Sequence, residues 1–363
     1  MGPPTGDARD WIARRRLHGQ LLRGSGAAAP GDVAGQLTAM QSQEHGYARW
    51  SLAQRAAGSP AAAAIDSAFD SGRVLRTHIL RPTWHYVSPA DLRWLMRLSG
   101  PRVNAGNARR YAELGLDGHT RARSNDVIAA AVSGGPRTRR ELAADLEAHG
   151  ISVEGQRIAH LLMHAELEMV ICSGPMQGKQ HTYALFDQRV PGGPGLDGPG
   201  PDGDEALAEL AWRYFSTRGP ATVTDFSWWS GLKMADARRG LQVAGSRLTA
   251  REIDGLTYWF HDRGAPPPGQ LIDLVQCFDE LIISYSQTRD VLQTASVAFP
   301  VPRHIDGYWH VLLLDGRLLG HWRARSGRDG LRVETRSSRP LDAAEQTAVA
   351  AAADRYRRFA EGA

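Results

Sequence analysis

The stretch TRRELAADLEAHGISVEGQRIAHLLMHAELEMVICSGPMQGKQHTYALF, residues 138–186, decides the fold class of this chain. Thr138 followed three residues later by Glu141 has the pattern of a capping box, which predicts a helix over Arg139–His149. The other elements predicted here are a helix over 154–167 and strands over Met169–Cys172 and His181–Phe186. Two helices, a turn and a hairpin in this order predict a winged helix-turn-helix unit.

The same order of helices followed by a strand pair recurs on both sides of this stretch. Before it, helices near 9–22, 32–40 and 46–57 precede strands over Arg73–Leu80 and Thr83–Val87. Two further helices are predicted between these strands and residue 138, near 89–99 and 122–133, and the first begins at the helix-start pair Ser88-Pro89. After it, helices over 204–217, Thr222–Gly231 and Ala235–Val243 precede strand-rich sequence at 251–260, 308–314 and 317–324, and a last helix over 341–360. The pattern predicts an α+β fold of three tandem winged-helix units. Their boundaries are 1–88, 89–190, a Gly/Pro linker at 191–204, and 205–363 with the C-terminal strands and helix.

Composition narrows the class of protein without identifying it. The chain has 363 residues and two cysteines, too few for a disulfide framework or a cysteine zinc site. Lysine occurs only at Lys179 and Lys233, so nearly all of the 43 basic residues are arginine, and the net charge is only +4. No signal peptide and no membrane-length apolar run is present, which predicts a cytoplasmic protein without membrane contact.

Three motifs that would indicate a nucleotide site, a catalytic serine or a metal site are absent or incomplete. Gly193–Gly198 spells G-x-G-x-x-G, but no strand precedes it and no helix follows it. No nucleophile elbow of the form G-x-S-x-G occurs. His160 and His164 are four residues apart on a helix, but no third metal ligand is indicated by spacing. The sequence therefore predicts no cofactor and no metal.

Several short sequence segments, called strings below, are individually common but together indicate one protein family. They are Gln36–Gln43 (QLTAMQSQ), Arg81–Val87 (RPTWHYV), Arg189–Pro191, Tyr214–Thr222, Asp225–Leu232 and Phe278–Glu280. In this order and spacing, from about residue 9 to 324, the chain resembles the winged-helix alkylpurine DNA glycosylases. The family's catalytic signature is Gln-x-Gln, which Gln41 and Gln43 match.

The resemblance implies tandem winged-helix units around a concave DNA-binding face. It also implies hydrolysis of the N-glycosidic bond of N7-alkylguanine, with N3-alkyladenine and bulky or crosslinked natural-product adducts as further candidates. The resemblance further implies a role in DNA repair or self-resistance. The binding partner would be double-stranded DNA that carries alkylated purines, and the protein would be cytoplasmic and associated with the nucleoid. We expect a monofunctional enzyme, because no lysine lies near the motif, and a monomer.

The chemistry can proceed without a carboxylate. An N7-alkylated guanine is cationic and leaves as a neutral base, so a carboxamide need only position water and stabilise positive charge on the sugar. We assign the water chiefly to Gln43 and support of water or sugar to Gln41. Two alternatives stay open: Glu44 as the base, and a merely polar helix end, since two residues at i and i+2 face different sides of a helix.

The candidate DNA contacts are basic and polar residues of the first two units. They are Arg81, His85, Arg137, Arg139, Arg140, Lys179 and Gln180, the last two in a candidate wing. Core packing is an equal alternative for His85, and a solvated charged face competes at the arginines. The rival function is a non-catalytic winged-helix transcriptional regulator, which would bind duplex DNA regardless of Gln43.

Overall fold

Groups of helices alternate with short strands along the whole chain. A computed structural model describes residues 6–190, 203–267, 269, 271–294, 310–328 and 330–362. Its helices are α1 (Gly6–Gly19), α2 (Pro30–Leu37), α3 (His45–Ala53), α4 (Ala62–Asp70), α5 (Pro89–Gly106), α6 (Ala108–Glu113), α7 (Gly118–Ser133), α8 (Arg139–Ala148), α9 (Arg157–Leu167), α10 (Phe186–Arg189), α11 (Gly203–Arg218), α12 (Val223–Ser230), α13 (Met234–Ala244), α14 (Glu280–Ile283) and α15 (Ala343–Glu361). Its strands are β1 (Met40–Gln41), β2 (Leu75–His78), β3 (Trp84–Val87), β4 (Arg137–Thr138), β5 (Ile171–Ser173), β6 (Thr182–Leu185), β7 (Thr249–Ile253), β8 (Leu256–Phe260), β9 (Ile272–Val275), β10 (His310–Leu314), β11 (Arg317–Gly327) and β12 (Gly330–Ser337).

Two units divide the chain by their internal packing. The first comprises residues 1–37, 43–65 and 207–363, as far as they are described, and the second comprises 38–42 and 66–206. The threefold division expected from the sequence stays a prediction, as does the concave face. None of the helices in the described part of the chain is long and apolar enough to cross a membrane.

The second unit contains the elements predicted from residues 138–186. Helix α7, strand β4, helices α8 and α9, and the hairpin of β5 and β6 follow one another, and the antiparallel sheet has the order β4–β6–β5. Thr138 caps α8 with a complete capping box through Glu141, as the sequence predicted. Apolar residues at helical and strand spacing, including Ile128, Leu142 and Leu161, form a common buried core under this sheet.

The same unit carries a second three-stranded sheet with the order β1–β3–β2. Both pairings are antiparallel, with Gln41 opposite His85 and His78 opposite Trp84. The long helix α5 begins at Ser88, whose side chain accepts the backbone N–H of Asp91. This sheet positions the glutamine motif.

The first unit repeats the helix-then-hairpin order and ends in a larger sheet. Helices α11 to α13 precede the hairpin of β7 and β8, and an isolated bridge pairs Ala221 with Trp259. Four antiparallel strands in the order β12–β11–β10–β9 follow. Helix α15 begins at Asp342 with a complete capping box, and Arg355 donates to the carbonyl of Ile272 on β9.

Several element boundaries differ from the sequence expectation. Helix α5 continues to Gly106 although Pro101 lies inside it, so the predicted end near residue 99 is wrong. Proline removes one helical hydrogen bond and usually stops a helix, but here the helix continues past it. Helices α4 and α6 and strands β9 and β12 were not predicted. The predicted linker at 191–204 lies outside the described residues except for 203 and 204, which begin α11.

Candidate active site

The Gln-x-Gln motif follows α2 but lies outside it. The helix ends at Leu37, whose carbonyl accepts a hydrogen bond of 3.0 Å from the buried guanidinium of Arg218. Thr38 then takes a φ of 66°, and Met40–Gln41 is extended as β1. The expectation that the glutamines lie at a helix end is therefore wrong, because a left-handed residue stops the helix before the first glutamine.

The middle residue of the motif is fixed on both sides of its backbone. The N–H of Ser42 donates to the carbonyl of Trp84 at 2.7 Å. Its own carbonyl accepts from Nε and an Nη of Arg76 at 3.3 and 3.1 Å. Ser42 is fully buried, and the Arg76 guanidinium lies 4.2 Å from the centre of the Trp84 ring. The residue between the two glutamines is therefore held in one backbone conformation.

Gln41 is oriented by an arginine from the loop between β2 and β3. Its Oε1 accepts a hydrogen bond of 3.1 Å from Arg81, and its side chain is half-buried. A guanidinium can only donate hydrogen bonds, so this contact determines which end of the carboxamide is oxygen. The structure thus places Arg81 against the first glutamine, whereas the sequence suggested only a DNA contact for it.

Gln43 and Glu44 have different environments. The Gln43 side chain is exposed, whereas Glu44 is half-buried at the start of α3 and makes no side-chain capping bond. Burial raises the pKa of the Glu44 carboxyl, which would suit a base. However, its carboxylate lies within 4.8 Å of the ligand atoms of buried Cys277 and His310. That placement favours Gln43 over Glu44 as the residue that meets a DNA substrate.

Glu44, Cys277 and His310 form the one group of three potential metal ligands found in the described ranges. The chemistry of these donors is unfavourable for a metal. Burial raises the pKa of the Cys277 thiol to about 12, and thiols bind metals as thiolates. His310 Nδ1 already accepts the backbone N–H of Cys277 at 3.3 Å. The absence of a metal cofactor stays a prediction.

His85 is a buried residue of β3. Its side chain is 0% exposed, and Nδ1 pairs with the carbonyl of Thr83 at 2.8 Å. A ring in this position cannot reach a phosphate without a rearrangement of the strand. Of the two alternatives left open by the sequence, the burial favours packing.

The other candidate DNA contacts are all exposed. They are Arg137, Arg139, Arg140, Lys179 and Gln180. Lys179 lies at the tip of the hairpin between β5 and β6, in a two-residue turn with Gly178 at a φ of 60°. The backbones of Gln177 and Gln180 exchange two hydrogen bonds of 3.0 Å across this turn. The predicted wing is therefore a short, closed hairpin end that presents its lysine to solvent.

Three of the strings that carried the resemblance meet at Glu280, which is buried in the first unit. Arg218 pairs with Glu280 at 2.7 Å, and both side chains are at most 1% exposed. Arg55 pairs with Asp279 at 2.6 Å, and both are fully buried. The Trp229 indole also donates to Glu280 at 2.8 Å. Each of these buried charges has a partner, so removing one member of a pair would leave an uncompensated charge in the core.

Sequence reasoning missed Arg76. The available signal was an arginine between Leu75 and Thr77 in the middle of a buried strand, a place where charged residues are rare unless they bind a specific partner. The sequence does not show that Arg76 binds the Ser42 carbonyl, because the two residues are 34 positions apart.

One comparison with known proteins shows the family of this chain, and a second shows a similar fold. A family model described as DNA glycosylase AlkZ-like matches residues 34–359. Among solved structures, the Streptomyces sahachiroi DNA glycosylase AlkZ is similar with a TM-score of 0.75 and 22% sequence identity, over 97% of this chain and 96% of that chain. The comparison with curated proteins finds no match. The structural likeness, at this identity, concerns the fold.

Proposed function

The chain belongs to the AlkZ-like DNA glycosylase family, and on that premise we propose that it hydrolyses the N-glycosidic bond of N7-alkylguanine in duplex DNA. The products are the free alkylated base and an abasic site. N3-alkyladenine and bulky or crosslinked adducts are further candidate substrates. The observation that carries the proposal is the geometry of the motif, in which Ser42 is clamped between Trp84 and Arg76 while Gln43 is exposed beside it in the chain.

We assign different roles to the two glutamines. Gln43 orients the attacking water at C1′ through its carbonyl oxygen, because an exposed carboxamide on a fixed backbone can meet the substrate without reorganising. Gln41 supports the water or the sugar, since its oxygen already accepts from Arg81. A carboxamide is a feeble base, so the acceleration comes from position and electrostatics. The leaving base needs no acid, because N7 alkylation has already made it cationic.

The exposed arginines and Lys179 would bind phosphates. Arg137, Arg139 and Arg140 surround the start of α8, and Lys179 lies at the hairpin tip of the same winged unit. Contacts of this kind orient a protein on duplex DNA without reading its sequence. That suits an enzyme which finds chemical damage in any sequence context.

The test uses a duplex with one N7-methylguanine and scores alkali-labile strand breaks. Wild type should release the base well above the spontaneous rate, and Gln41→Ala and Gln43→Ala should each be much slower. Gln36→Ala is the matched control, since Gln36 is an exposed glutamine on α2 outside the motif. Release by wild type at the spontaneous rate would overturn the enzymatic proposal. Equal rates for all four proteins, above that rate, would overturn the assignment of the glutamines.

The monofunctional character has its own test. A lyase step requires an amine that forms a Schiff base with the abasic sugar. The lysines of the chain, Lys179 and Lys233, are both distant in sequence from the motif. Borohydride should therefore trap no covalent protein–DNA complex during turnover. A trapped complex that survives in the Gln43→Ala variant and disappears in Lys179→Gln would contradict this.

A further inference from the structure

A cavity of about 280 Å³ lies inside the second unit, away from the side chains assigned to the reaction. Its apolar walls are Trp84, Tyr183, Leu162 and Met163, and its polar lining includes His160 and Arg139. The volume is just below the range for drug-sized ligand sites, about 300–1,000 Å³, which suits a small ligand. Nothing in the proposed reaction uses this space.

The aromatic walls are held rigidly by the sheet. Trp84 packs against the His78 ring, with centroids 3.9 Å apart, and under the Arg76 guanidinium. His78 is fixed in turn by a hydrogen bond of 2.5 Å from its Nδ1 to the buried carboxylate of Glu166. Tyr183, on β6, is only 7% exposed and belongs to the core of the winged unit. Because His78 and Arg76 already contact the Trp84 ring, a planar ligand would meet the part of this ring that they leave open. A wall that is already rigid orders no further side chain on binding.

The polar lining offers hydrogen-bond partners for the edge of such a ring. His160 Nδ1 bonds to the carbonyl of Gln156 at 3.0 Å, so Nδ1 is the protonated nitrogen and Nε2 is an acceptor. The carboxamide of Asn107 also lines the cavity; its Nδ2 contacts the Met163 sulfur at 3.8 Å, and its side chain also hydrogen-bonds Tyr111. Mixed donors and acceptors around flat apolar walls are the groups that recognise a nucleobase.

Arg139 supplies a charge at the mouth of the cavity. Its side chain is exposed at the first residue of α8, and it forms no ion pair with any described residue. Guanidinium groups bind phosphate through charge-assisted hydrogen bonds. Aromatic walls, a donor–acceptor rim and one guanidinium without an ion-pair partner among the described residues together match a base with its phosphate.

We propose that this cavity binds one nucleoside monophosphate, with the base against Trp84 and Tyr183 and the phosphate on Arg139. Because Trp84 and His85 are consecutive on β3, they face opposite sides of the sheet, and Gln41 is paired with His85. The bound nucleotide is therefore not the one whose glycosidic bond is hydrolysed. It is either an extruded nucleotide of the DNA strand or a free nucleotide, which share the same chemistry.

Calorimetric titration with dAMP, deoxyadenosine and inorganic phosphate tests the site on the full chain. We expect dAMP to bind about tenfold more tightly than deoxyadenosine, and phosphate alone to give no measurable binding. Arg139→Gln should remove the difference between dAMP and deoxyadenosine. Arg140→Gln is the matched control, because Arg140 is an equally exposed neighbour that does not line the cavity. No binding of dAMP, phosphate binding as tight as dAMP, or equal effects of the two variants would overturn the proposal.

Ala159 allows a second variant that changes the space rather than the charge. It lines the cavity from α9 and is only partly buried, so Ala159→Phe should fill the slot and leave the fold intact. This variant should lose both dAMP and deoxyadenosine. Circular dichroism checks that the Ala159→Phe protein is folded. If the folded variant binds dAMP as tightly as wild type does, the nucleotide binds elsewhere and the proposal is refuted.

Competition with DNA distinguishes the two sources. A duplex with a single-nucleotide bulge presents an extrahelical nucleotide, which a fully paired duplex lacks. If the bulged duplex displaces dAMP and the fully paired duplex does not, the site binds a nucleotide of DNA. If neither duplex displaces dAMP, the site binds a free nucleotide. Equal competition by both would show that the occupant is duplex backbone and would overturn the proposal. These titrations do not measure base release, so they stand separately from the assignment of Gln41 and Gln43.

Discussion

The clamp on Ser42 can be removed by one substitution, Arg76→Met. Arg76 donates twice to the Ser42 carbonyl and packs over Trp84, and it is only 8% exposed. Methionine keeps an unbranched apolar stem in the same space but has no donor and no charge. The Ser42 carbonyl then loses the hydrogen bonds from Arg76, while the Ser42 N–H remains bonded to the Trp84 carbonyl.

The magnitude follows from the geometry. A hydrogen bond from a charged donor contributes about 1.5–3 kcal/mol, and the 3.3 Å contact exceeds the usual range, so the two bonds to one acceptor count as about one. Burial lowers the pKa of Arg76, which indicates that the charged form is itself destabilised by desolvation. The net loss is then about 1–2 kcal/mol, or a factor of about 5–30.

The assay is single-turnover base release from the N7-methylguanine duplex with enzyme in excess, so that binding does not limit the rate. We expect the Arg76→Met variant to be about 5–30 times slower and less stable in urea by about 1–2 kcal/mol. Arg73→Met is the control, because Arg73 is exposed just before the same strand and, within the described part of the chain, its side chain bonds to Ser71 alone. A folded Arg76→Met protein with the wild-type rate and the wild-type urea midpoint would refute the reasoning.

Three further predictions concern stability, pH and salt. Arg55→Met should destabilise the fold by about 3–5 kcal/mol in urea, because Asp279 would be left buried without its cation; a loss below about 1 kcal/mol would contradict this. Burial and the nearby charge of Arg121 lower the pKa of His164 from 6.5 to about 4. The unfolded chain therefore takes up this proton first, and stability is lost as pH falls from about 6.5 to 4. His164→Gln should flatten the pH dependence of the urea midpoint in that window, and an unchanged profile would exclude the half-buried His164 imidazole as its cause. Lys179→Gln should reduce the slope of log binding constant against log salt by about 1, whereas an unchanged slope would remove the hairpin tip from the DNA contacts.

Much of the local fold could be predicted because its signals are short-range. The capping box at Thr138 and Glu141 and the Ser88-Pro89 helix start depend on residues within one helical turn, and the structure has both. Errors arose where a rule of local propensity was overridden. Pro101 did not end α5, and β9 and β12 form where four strands pair, a partnership that no single segment reveals.

The candidate site likewise combines features that neighbouring residues predict with features that depend on long-range contacts. Gln41 and Gln43 could be named through a resemblance of ordered strings. Their position outside a helix depends on Thr38, and the position of Gln41 on a strand depends on pairing with β3. Arg81 and Arg76 look alike in the sequence as arginines near aromatic residues. One contacts the Gln41 amide and the other the Ser42 carbonyl, over separations of 40 and 34 residues.

The sequence by itself determined the order of helices and hairpins and the family, and it supplied the two glutamines of the proposed site, because periodicity, caps and ordered motifs are properties of neighbouring residues. The tertiary structure decided which side chains the motif touches, that His85 is buried, and that Arg139 borders a cavity with Trp84. These are contacts between residues tens of positions apart. They exist only after the sheets have paired and apolar burial has chosen which polar groups stay exposed.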